Sequence, residues 1–288
     1  MGFVNDRPAG SPWWSVPTPE QVPEVALVPV LGPDGYPLAT HRGVQRRDTG
    51  QIVSVVSARY GLVGHREVAQ AVHRVTQGLE RTDDERTGPH FPREEIRVYA
   101  GGRRMEHRVV VGRLFQLASG ESFYPAIRVM NSLDGTVAIR VDGYAVRIAC
   151  LNQLYAGRGG TVTELRELHL ASSEDLLGQV ERAIHQFLAN FPAALDLYEQ
   201  AMAREMLASE VEPALTGLGM PRVHAGAIGA RTESEASHVA LVSRWRAYQI
   251  ATAYLTREVK VNPDRERSFE RITARAILLG APGPTGPG

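Results

Sequence analysis

The stretch from Phe123 to Asn152 constrains the fold most strongly, because turn residues divide it into runs of alternating apolar residues. The Asp142-Gly143 pair lies between two such runs and predicts a two-residue β-hairpin turn. The preceding segment, Leu133-Asp134-Gly135, predicts a three-residue hairpin loop with Gly135 in the left-handed conformation. The two turns together predict a meander in which one face is apolar. That face would contain Ile127, Val129, Val137, Ile139, Val141, Tyr144, Val146 and Ile148.

The same register predicts a face of arginines on the other side of the meander. Arg128 would lie directly across from Arg140, with Arg147 on the diagonal. Like charges that face each other across strands are unfavourable, so an anionic group should lie near them. It could be a nucleic-acid phosphate backbone or the protein's own carboxylates. The candidate carboxylates are Glu164, Glu167, Glu174 and Asp175.

The charge balance limits how the chain could bind nucleic acid. The 288 residues include 32 basic and 32 acidic side chains, so the formal net charge is zero. Proteins that bind nucleic acid by bulk charge are basic, and any such site here must therefore be a local patch. Of the basic residues only Lys260 is a lysine. Every other strongly basic side chain is an arginine, whose planar guanidinium group can form two parallel hydrogen bonds with a phosphate or a carboxylate.

A second group of cations and several aromatic residues extend the candidate surface. Arg42, Arg46 and Arg47 cluster at the tip of an early hairpin. Tyr60 and Phe123 are expected near the same sheet, and arginines with aromatic side chains are typical of single-stranded nucleic-acid sites. Either aromatic could instead be an ordinary core residue.

The N-terminal residues 1–23 are rich in proline and predict an extended arm. Trp13 and Trp14 are its large anchors. They could dock the arm onto the body of the protein or onto a neighbouring subunit, or they could stack on bases. At the other end, residues 281–288 have no large side chains to bury and predict a disordered tail.

Strand patterns dominate the first half of the chain. Strands are predicted at 25–31, 38–45 and 51–57, a helix at 65–79, and a mobile loop at 81–92. Gly101-Gly102 predicts a further hairpin in which Arg97 faces Glu106 and Glu95 faces Arg108. Gly112 is a candidate β-bulge in the next strand, which runs to residue 117.

Helical patterns dominate the second half. Helices are predicted at 173–190, from Pro192 to about 210, at 232–259 and from Asn262-Pro263 to before Gly280, with a loop at 216–231. The order of strands followed by helices predicts an α+β fold. We divide it into a β-rich domain at 24–160 and a helical region at 161–280.

The sequence contains no phosphate-binding loop, nucleophile elbow, HExxH motif or paired cysteines, so we expect no enzyme activity, metal or cofactor. The Gly157-Arg158-Gly159-Gly160 run could cradle a phosphate or be a plain linker. The Asp83-Asp84-Glu85 cluster fits a solvated loop better than a cation site.

Cys150, the single cysteine, is expected to be a buried inert thiol. The alternative is a composite catalytic site of Cys150, Asn152 and Tyr155. The lone cysteine and the absence of a signal peptide or an 18-residue apolar run predict a cytoplasmic protein.

Several segments together resemble the phage- and plasmid-like family known as domain of unknown function 932. The matching pieces are Asn131-Ser132-Leu133-Asp134-Gly135, Arg147-Ile148-Ala149-Cys150 with Asn152, Ala58-Arg59-Tyr60-Gly61-Leu62-Val63, and the segments Trp245–Thr256 and Arg267–Gly280. Pro12-Trp13-Trp14 is similar to a Pro-Trp-His near the family's start, with Trp14 in place of the histidine. The resemblance implies a protein of a bacteriophage or other mobile element and no assigned activity. At the level of the fold, the strand-rich half is also similar to RecT/Erf-type annealing proteins.

These observations lead to two main hypotheses. In the first, the protein binds single-stranded DNA and anneals complementary strands in recombination without ATP, as a homo-oligomeric ring or filament in the host cytoplasm. Arg128, Arg140 and Arg147 would contact phosphates, and the Trp13 arm and the C-terminal helices would join subunits. In the second, the protein is a non-enzymatic phage assembly or interaction protein whose arginine face is closed by its own acids.

Overall fold

The computed structural model describes residues 13–16, 18–77, 79, 94–111, 114–147, 153–155, 163–164, 173–236, 238 and 240–280. It confirms the α+β class, with antiparallel sheets in the N-terminal half and helices in the C-terminal half. Some of the predictions concern residues outside this description: the 81–92 loop, the Asp83-Asp84-Glu85 cluster, Gly112, Cys150, Asn152, the Gly157–Gly160 run and the 281–288 tail.

The chain divides into two compact units. Unit 1 comprises Met1–Arg113, Ala126–Gly143 and Val162–Leu188. Unit 2 comprises Leu114–Pro125, Tyr144–Thr161 and Ala189–Gly288. The described strands are β1 Trp13–Val16, β2 Val25–Leu31, β3 Pro37–Arg46, β4 Ile52–Ser57, β5 Glu94–Tyr99, β6 Arg104–Val110, β7 Phe115–Gln116, β8 Ser122–Ser132, β9 Arg140–Arg147, β10 Gln153–Tyr155, β11 Thr163–Glu164, β12 Glu205–Leu207 and β13 Leu241–Ser243. The described α-helices are α1 His65–Gln77, α2 Ser173–Ala203, α3 Val211–Gly217, α4 Arg222–Glu235, α5 Arg244–Arg257 and α6 Pro263–Thr273.

Unit 1 is built on an antiparallel sheet in the order β1-β5-β6-β8-β9, with β11 also paired to β9. Part of the predicted apolar face is confirmed, since Ile127, Val129, Ile139 and Val141 all lie in one buried core. Tyr144 and Val146 were wrongly placed on that face, because they follow Asp142 on the opposite side of strand β9. Helix α1 contributes Val68, Ala69 and Val72 to this core, and α2 contributes Val180, Ala183 and Ile184. Both helices are amphipathic, and their apolar stripes face this core because burial removes them from water.

The β5–β6 hairpin has the predicted register. Arg97 pairs with Glu106 and Glu95 with Arg108 across the ladder. The turn is made by Gly101 and Gly102 with φ of 69° and 88°, a conformation that favours glycine. Gly135 also has the predicted left-handed conformation, with φ of 68°.

A smaller antiparallel sheet of unit 1 contains β2, β3 and β4. Its strands fall within one residue of their predicted positions. Val44 and Val56 are buried on one face, where they form a small core with Leu133. Ser54 anchors the sheet there, since its Oγ donates a 2.6 Å hydrogen bond to the Leu133 carbonyl.

Unit 2 begins with the short pairings of β7 on β8 and of β10 on β9. An aromatic cluster forms its interior: the ring centroid of Phe123 lies 5.5 Å from that of Tyr198 and 5.9 Å from that of Trp245. The remaining helices α3 to α6 follow. Strand β12, which precedes α3, pairs with β13, which lies between α4 and α5. Helix α6 passes directly into a π-helical turn at Ala274–Leu278.

The prediction of a hairpin turn at Asp142-Gly143 was wrong, because β9 runs unbroken through both residues. Tyr144 pairs with Tyr155 and Val146 with Gln153, so the chain reverses later, between β9 and β10. The turn that an Asp-Gly pair favours needs positive φ at both positions, and Gly143 does not have it. A Cβ atom at Gly143 would overlap the Phe187 ring, so close packing explains this glycine.

Several predicted helix boundaries were also wrong. Pro192 lies inside the single helix α2 rather than at the start of a new one. Buried residues on both sides of it, Phe191 and Leu195, keep the apolar stripe continuous across the proline. The predicted 216–231 loop is largely helical, in α3 and α4. Gly229 faces Glu212 where a Cβ atom would lie 2.9 Å from the Glu212 Cβ, so this glycine serves close helix packing.

The predicted 232–259 helix is interrupted by β13. The helical path ends earlier, at Ala236, whose backbone is extended with φ of −68° and ψ of 152°. Ser243 then caps the start of α5, because its side chain accepts a hydrogen bond from the backbone N–H of Arg246.

Candidate nucleic-acid interface

The predicted arginine face is occupied by the protein's own carboxylates. Arg128 lies directly across from Arg108 in the β6–β8 ladder, so two like charges do face each other. The Nε atom of Arg128 lies 3.6 Å from an oxygen of Glu106 and 3.6 Å from an oxygen of Asp142. All three side chains are buried, with Arg128 only 2% exposed. The sequence left two possibilities for the anion beside Arg128, a phosphate backbone or the protein's own carboxylates, and the groups found there are the carboxylates of Glu106 and Asp142.

Glu106 is at the centre of this network. Its carboxylate is fully buried and accepts a 3.0 Å hydrogen bond from Arg108. Arg97 approaches the same carboxylate to 3.8 Å and pairs with Glu95 at 2.8 Å. A buried charge is tolerated when it is paired and hydrogen-bonded, and these acids meet that need within unit 1. We call Arg97, Glu106, Arg108, Arg128 and Asp142 the buried ion network.

The other two predicted arginines of this face are in β9. Arg140 is half-buried and has Glu164 of β11 as its ladder partner, one of the carboxylates named as candidates from the sequence. Arg147 is the last residue of β9, and its side chain lies outside the description. Glu167 and the side chains of Glu174 and Asp175 also lie outside it.

The basic hairpin tip is partly neutralised. Arg46 binds Asp48 through two hydrogen bonds, of 3.0 and 2.6 Å. The hydrogen bond from Arg46 holds the pKa of Asp48 below its usual value. Arg47 is exposed and Arg42 is half-buried, and no ion pair is formed by either with the described residues.

The predicted aromatic contacts have structural roles. Phe123 is fully buried in the aromatic cluster of unit 2 and cannot stack on a base, which corrects that prediction. Tyr60 is half-buried and donates a 3.0 Å hydrogen bond from its hydroxyl to the Ser132 carbonyl. Burial, and then the charge of Asp134, raise the pKa of Tyr60. Trp13 and Trp14 pair through their backbones with Tyr99 and Val98 of the same chain.

A cluster of arginines that the sequence interpretation missed lies on α6 and on the π-helical turn that follows it. Arg267, Arg271 and Arg275 follow one another at intervals of four residues, a spacing that keeps side chains on one face of a helix. They line a cleft of about 310 Å³ in unit 2. We call it the arginine cleft; its remaining lining residues are Leu218, Asp264, Ser268 and Ile272.

The residues at its start favour the formation of helix α6. Asn262 caps it, since its side chain accepts a hydrogen bond from the Arg265 backbone N–H at 3.0 Å, and Pro263 occupies the first helical position. Phe269 and Thr273 are buried on the opposite side. The apolar side of the helix thus directs the arginines toward the cleft.

The arginine cleft carries an excess of positive charge, because three guanidinium groups line it against one carboxylate, that of Asp264. Arg267 is 8% exposed, Arg271 is half-buried and Arg275 is exposed. Arg271 and Arg275 form no ion pair with any described residue. Arginines four residues apart repel each other, so an anionic ligand would relieve an unfavourable arrangement. The four-residue spacing was the signal in the sequence that could have identified them.

A third charged cluster, in unit 1, joins α1 to β5 and β6. Glu94 accepts hydrogen bonds from Nδ1 of His73 at 2.9 Å and from Nε2 of His107 at 2.8 Å. His107 is fully buried. Burial is the largest influence on His107 and lowers its pKa, against a raising effect of Glu94. Burial raises the pKa of Glu94, but the hydrogen bonds from both histidines hold it below its usual value.

This His73–Glu94–His107 cluster is not arranged for a metal ion. Across the described part of the chain, no group of three or more His, Cys, Asp or Glu side chains has a geometry that could hold one. Among the same residues, no helix combines the length and apolar character needed to cross a membrane.

Comparison with known proteins gives a family and no function. A profile of the family described as Domain of unknown function (DUF932) matches residues 52–276. The match contains the whole buried ion network and the entire arginine cleft. No curated protein and no solved structure matches the chain.

Proposed function

Because this chain belongs to the domain of unknown function 932 family, whose description assigns no activity, we propose its function from its own geometry: it binds single-stranded DNA through the arginine cleft. The observation that carries this proposal is the excess of three arginines over one carboxylate around a single cleft. Guanidinium groups match phosphate oxygens in charge and in two-pronged hydrogen-bonding geometry.

The dimensions of the cleft favour a single strand. Arg267 and Arg271 are spaced by about 6 Å along α6, and Arg275 follows in the π-helical turn. This row of arginines allows successive phosphates of one extended strand to meet successive guanidinium groups. A cleft of about 310 Å³ has room for a phosphate group beside its arginines. Zero net charge is consistent with this confined mode of binding, since the rest of the surface offers no general attraction for nucleic acid.

The proposal includes the activity and context expected from the sequence. The protein would anneal complementary strands without ATP during recombination of a phage or other mobile element, in the cytoplasm of a bacterial host. The sequence has no nucleotide-binding loop, which fits a process that does not hydrolyse ATP. The arginine cleft would replace Arg128 and Phe123 as the main DNA contact.

The test is fluorescence anisotropy of a labelled single-stranded oligonucleotide with wild-type protein and with Arg271→Ala/Arg275→Ala, each at several salt concentrations. We expect the double variant to bind more weakly and to lose about 0.7 of the logarithmic salt slope per arginine removed. A matched control is Arg204→Ala/Arg257→Ala, which removes the same charge from exposed positions outside the cleft. This control should keep most of the affinity.

Two results would overturn the proposal. One is no binding by the wild type at low salt, and the other is equal affinity and equal salt slope for both double variants. Annealing needs its own assay, in which two complementary oligonucleotides pair in the absence of ATP. Binding without faster pairing would retain the DNA-binding function and refute the annealing activity.

A second function has its own supporting observation. The buried ion network closes the arginine face with the protein's own acids, as the hypothesis of a phage assembly or interaction protein requires. Under that hypothesis the arginines of the sheet serve stability alone, and the wild type does not bind DNA at low salt.

A further inference from the structure

The arginine cleft has a carboxylate at one end of its row of charged side chains. These side chains follow one another in the order Asp264, Arg267, Arg271 and Arg275. Asp264 precedes Arg267 by three residues, a step of about 4.5 Å along the axis of α6. A strand that continued along the row past Arg267 would bring its next phosphate toward this carboxylate, and like charges repel each other. The row therefore favours a strand that ends in the cleft over one that passes through it.

The exposure of the three arginines changes in the same direction. Arg267, which is nearest to Asp264 in the row, is 8% exposed, whereas Arg271 is half-buried and Arg275 is exposed. A strand that enters from solvent thus reaches Arg275 first and Arg267 last. We call the part of the cleft lined by Asp264, Arg267, Ser268 and Arg271 the inner end.

The donors of the inner end match a terminal phosphate better than an internal one. An internal phosphodiester has a single negative charge and two free oxygens. A terminal phosphate is a monoester with three free oxygens and a charge of about −1.5 to −2 at about pH 7. Each guanidinium group can donate two parallel hydrogen bonds to one anion. Ser268 adds an exposed hydroxyl three residues before Arg271, on the same face of the helix.

On the premise of the DNA-binding function proposed above, we propose that the inner end of the arginine cleft binds the terminal phosphate of the strand. Arg271 supplies the main charge, because it forms no ion pair with any described residue. The hydroxyl of Ser268 donates a further hydrogen bond, and Arg275 contacts the next phosphate outward. The ligand is a phosphomonoester on the 5′ or the 3′ carbon of the last sugar. Asp264 disfavours a longer strand that would continue beyond this point.

The test is fluorescence anisotropy with three oligonucleotides of one sequence, each labelled on an internal base. One has a 5′-phosphate, one has a 3′-phosphate, and one has hydroxyl groups at both ends. We expect one of the phosphorylated strands to bind the wild-type protein at least about tenfold more tightly than the unphosphorylated strand, since a hydrogen bond to a charged group contributes about that much. The strand that gains affinity identifies which end is bound.

Variants of the full chain test the residues of the inner end. Arg271→Lys keeps the charge but loses the planar pair of donors, so it should lose most of the preference for a terminal phosphate. Asp264→Asn removes the carboxylate, so the unphosphorylated strand should bind more tightly and the preference should shrink. Arg204→Ala/Arg257→Ala, at exposed positions outside the cleft, should keep the wild-type preference. Circular dichroism shows whether each variant is folded, and Ser268→Ala, which should lose part of the preference, replaces Arg271→Lys if that variant is not.

Three results would count against the terminal-phosphate site, and they differ in what else they remove. Equal affinity for the three strands overturns this site and leaves the DNA-binding function intact. A preference that is unchanged in both folded Arg271→Lys and Asp264→Asn likewise overturns the site without removing DNA binding. No binding of any strand at low salt removes the proposed function itself, and the terminal-phosphate site with it.

Discussion

The Nε atom of Arg128 lies 3.6 Å from Oδ2 of Asp142, and each of these side chains is 2% exposed. Asp142 belongs to an Asp-Gly pair that predicts a turn, yet it is within strand β9 and faces an arginine on the neighbouring strand. The pair helps to fix how β8 and β9 align, since a shift of β9 by one residue would move Asp142 to the apolar face, away from Arg128. The charge of Arg128, which suggested a ligand-binding surface, thus helps to set the alignment of two strands of the sheet.

Arg128→Ala should strongly destabilise the protein. The substitution leaves Glu106 and Asp142 in the interior without one of their cations, and breaking a buried ion pair costs about 3–5 kcal/mol. Urea unfolding monitored by circular dichroism measures this loss. Arg47→Ala, at an exposed position, should change the unfolding free energy by less than about 0.5 kcal/mol. An equally small effect for Arg128→Ala would show that the ion network does not stabilise the fold.

Gly143→Ala should also be destabilising, although alanine normally suits a strand better than glycine. The added methyl group overlaps the Phe187 ring, and overpacking of this kind costs about 1–3 kcal/mol. Thermal unfolding of Gly143→Ala, Phe187→Ala and the double variant tests the cause. We expect the double variant to be more stable than the sum of the single losses predicts, because removal of the ring makes room for the methyl.

Gly226→Ala serves as the comparison for that experiment. A Cβ atom at this helical glycine of α4 would have a Glu212 oxygen as its nearest neighbour at 3.7 Å, which is an ordinary contact distance. The substitution should stabilise by about 0.5–1 kcal/mol through reduced entropy of the unfolded chain. A similar loss of stability in both alanine variants would contradict the steric explanation of Gly143.

The His73–Glu94–His107 cluster predicts that the protein loses stability as the pH falls below neutrality. The pKa of His107 is lowered by burial, so the unfolded chain, with its ordinary value of 6.5, binds the proton more readily than the folded one. Stability therefore declines as the pH falls below about 6.5. Glu94 also has a lowered pKa, and its contribution is lost below its ordinary value of 4.5.

Urea unfolding at a series of pH values between about 4 and 8 measures this dependence. His107→Gln should flatten the decline just below pH 6.5, because the titrating group is gone. The control is His185→Gln at an exposed position of α2, which should keep the wild-type profile. A profile in His107→Gln that matches the wild type would assign the decline to other groups.

Asn262→Ala should weaken the helix that carries the arginine cleft. Loss of the cap leaves a backbone N–H at the start of α6 without its acceptor and costs about 1 kcal/mol. Asn262→Asp, which retains an accepting oxygen, should be close to the wild type in thermal unfolding. A large loss in Asn262→Asp would indicate that the amide group has another role.

Predictions made from local patterns were the most accurate. The strands β2 to β4, helix α1 and the left-handed Gly135 all follow from short-range rules, because alternation, helical spacing and positive φ involve only neighbouring residues. The facing charges of Arg97 and Glu106 were predictable for the same reason, since a tight turn fixes the register of the two strands beside it. In the helical half, Asn262-Pro263 marked the start of α6 correctly.

The sequence by itself thus determined the α+β class, part of the apolar face of the large sheet and the positions of most strands. Only the tertiary structure decided what Asp142, Gly143, Arg128 and Phe123 do. Gly143 is small because Phe187, distant in sequence, packs onto it, and Arg128 is closed off because Glu106 lies on another strand. A side chain has the same local signature whether its partner is a phosphate or a distant carboxylate. The choice between them depends on which groups folding brings within a few ångströms, and that is a property of the whole chain.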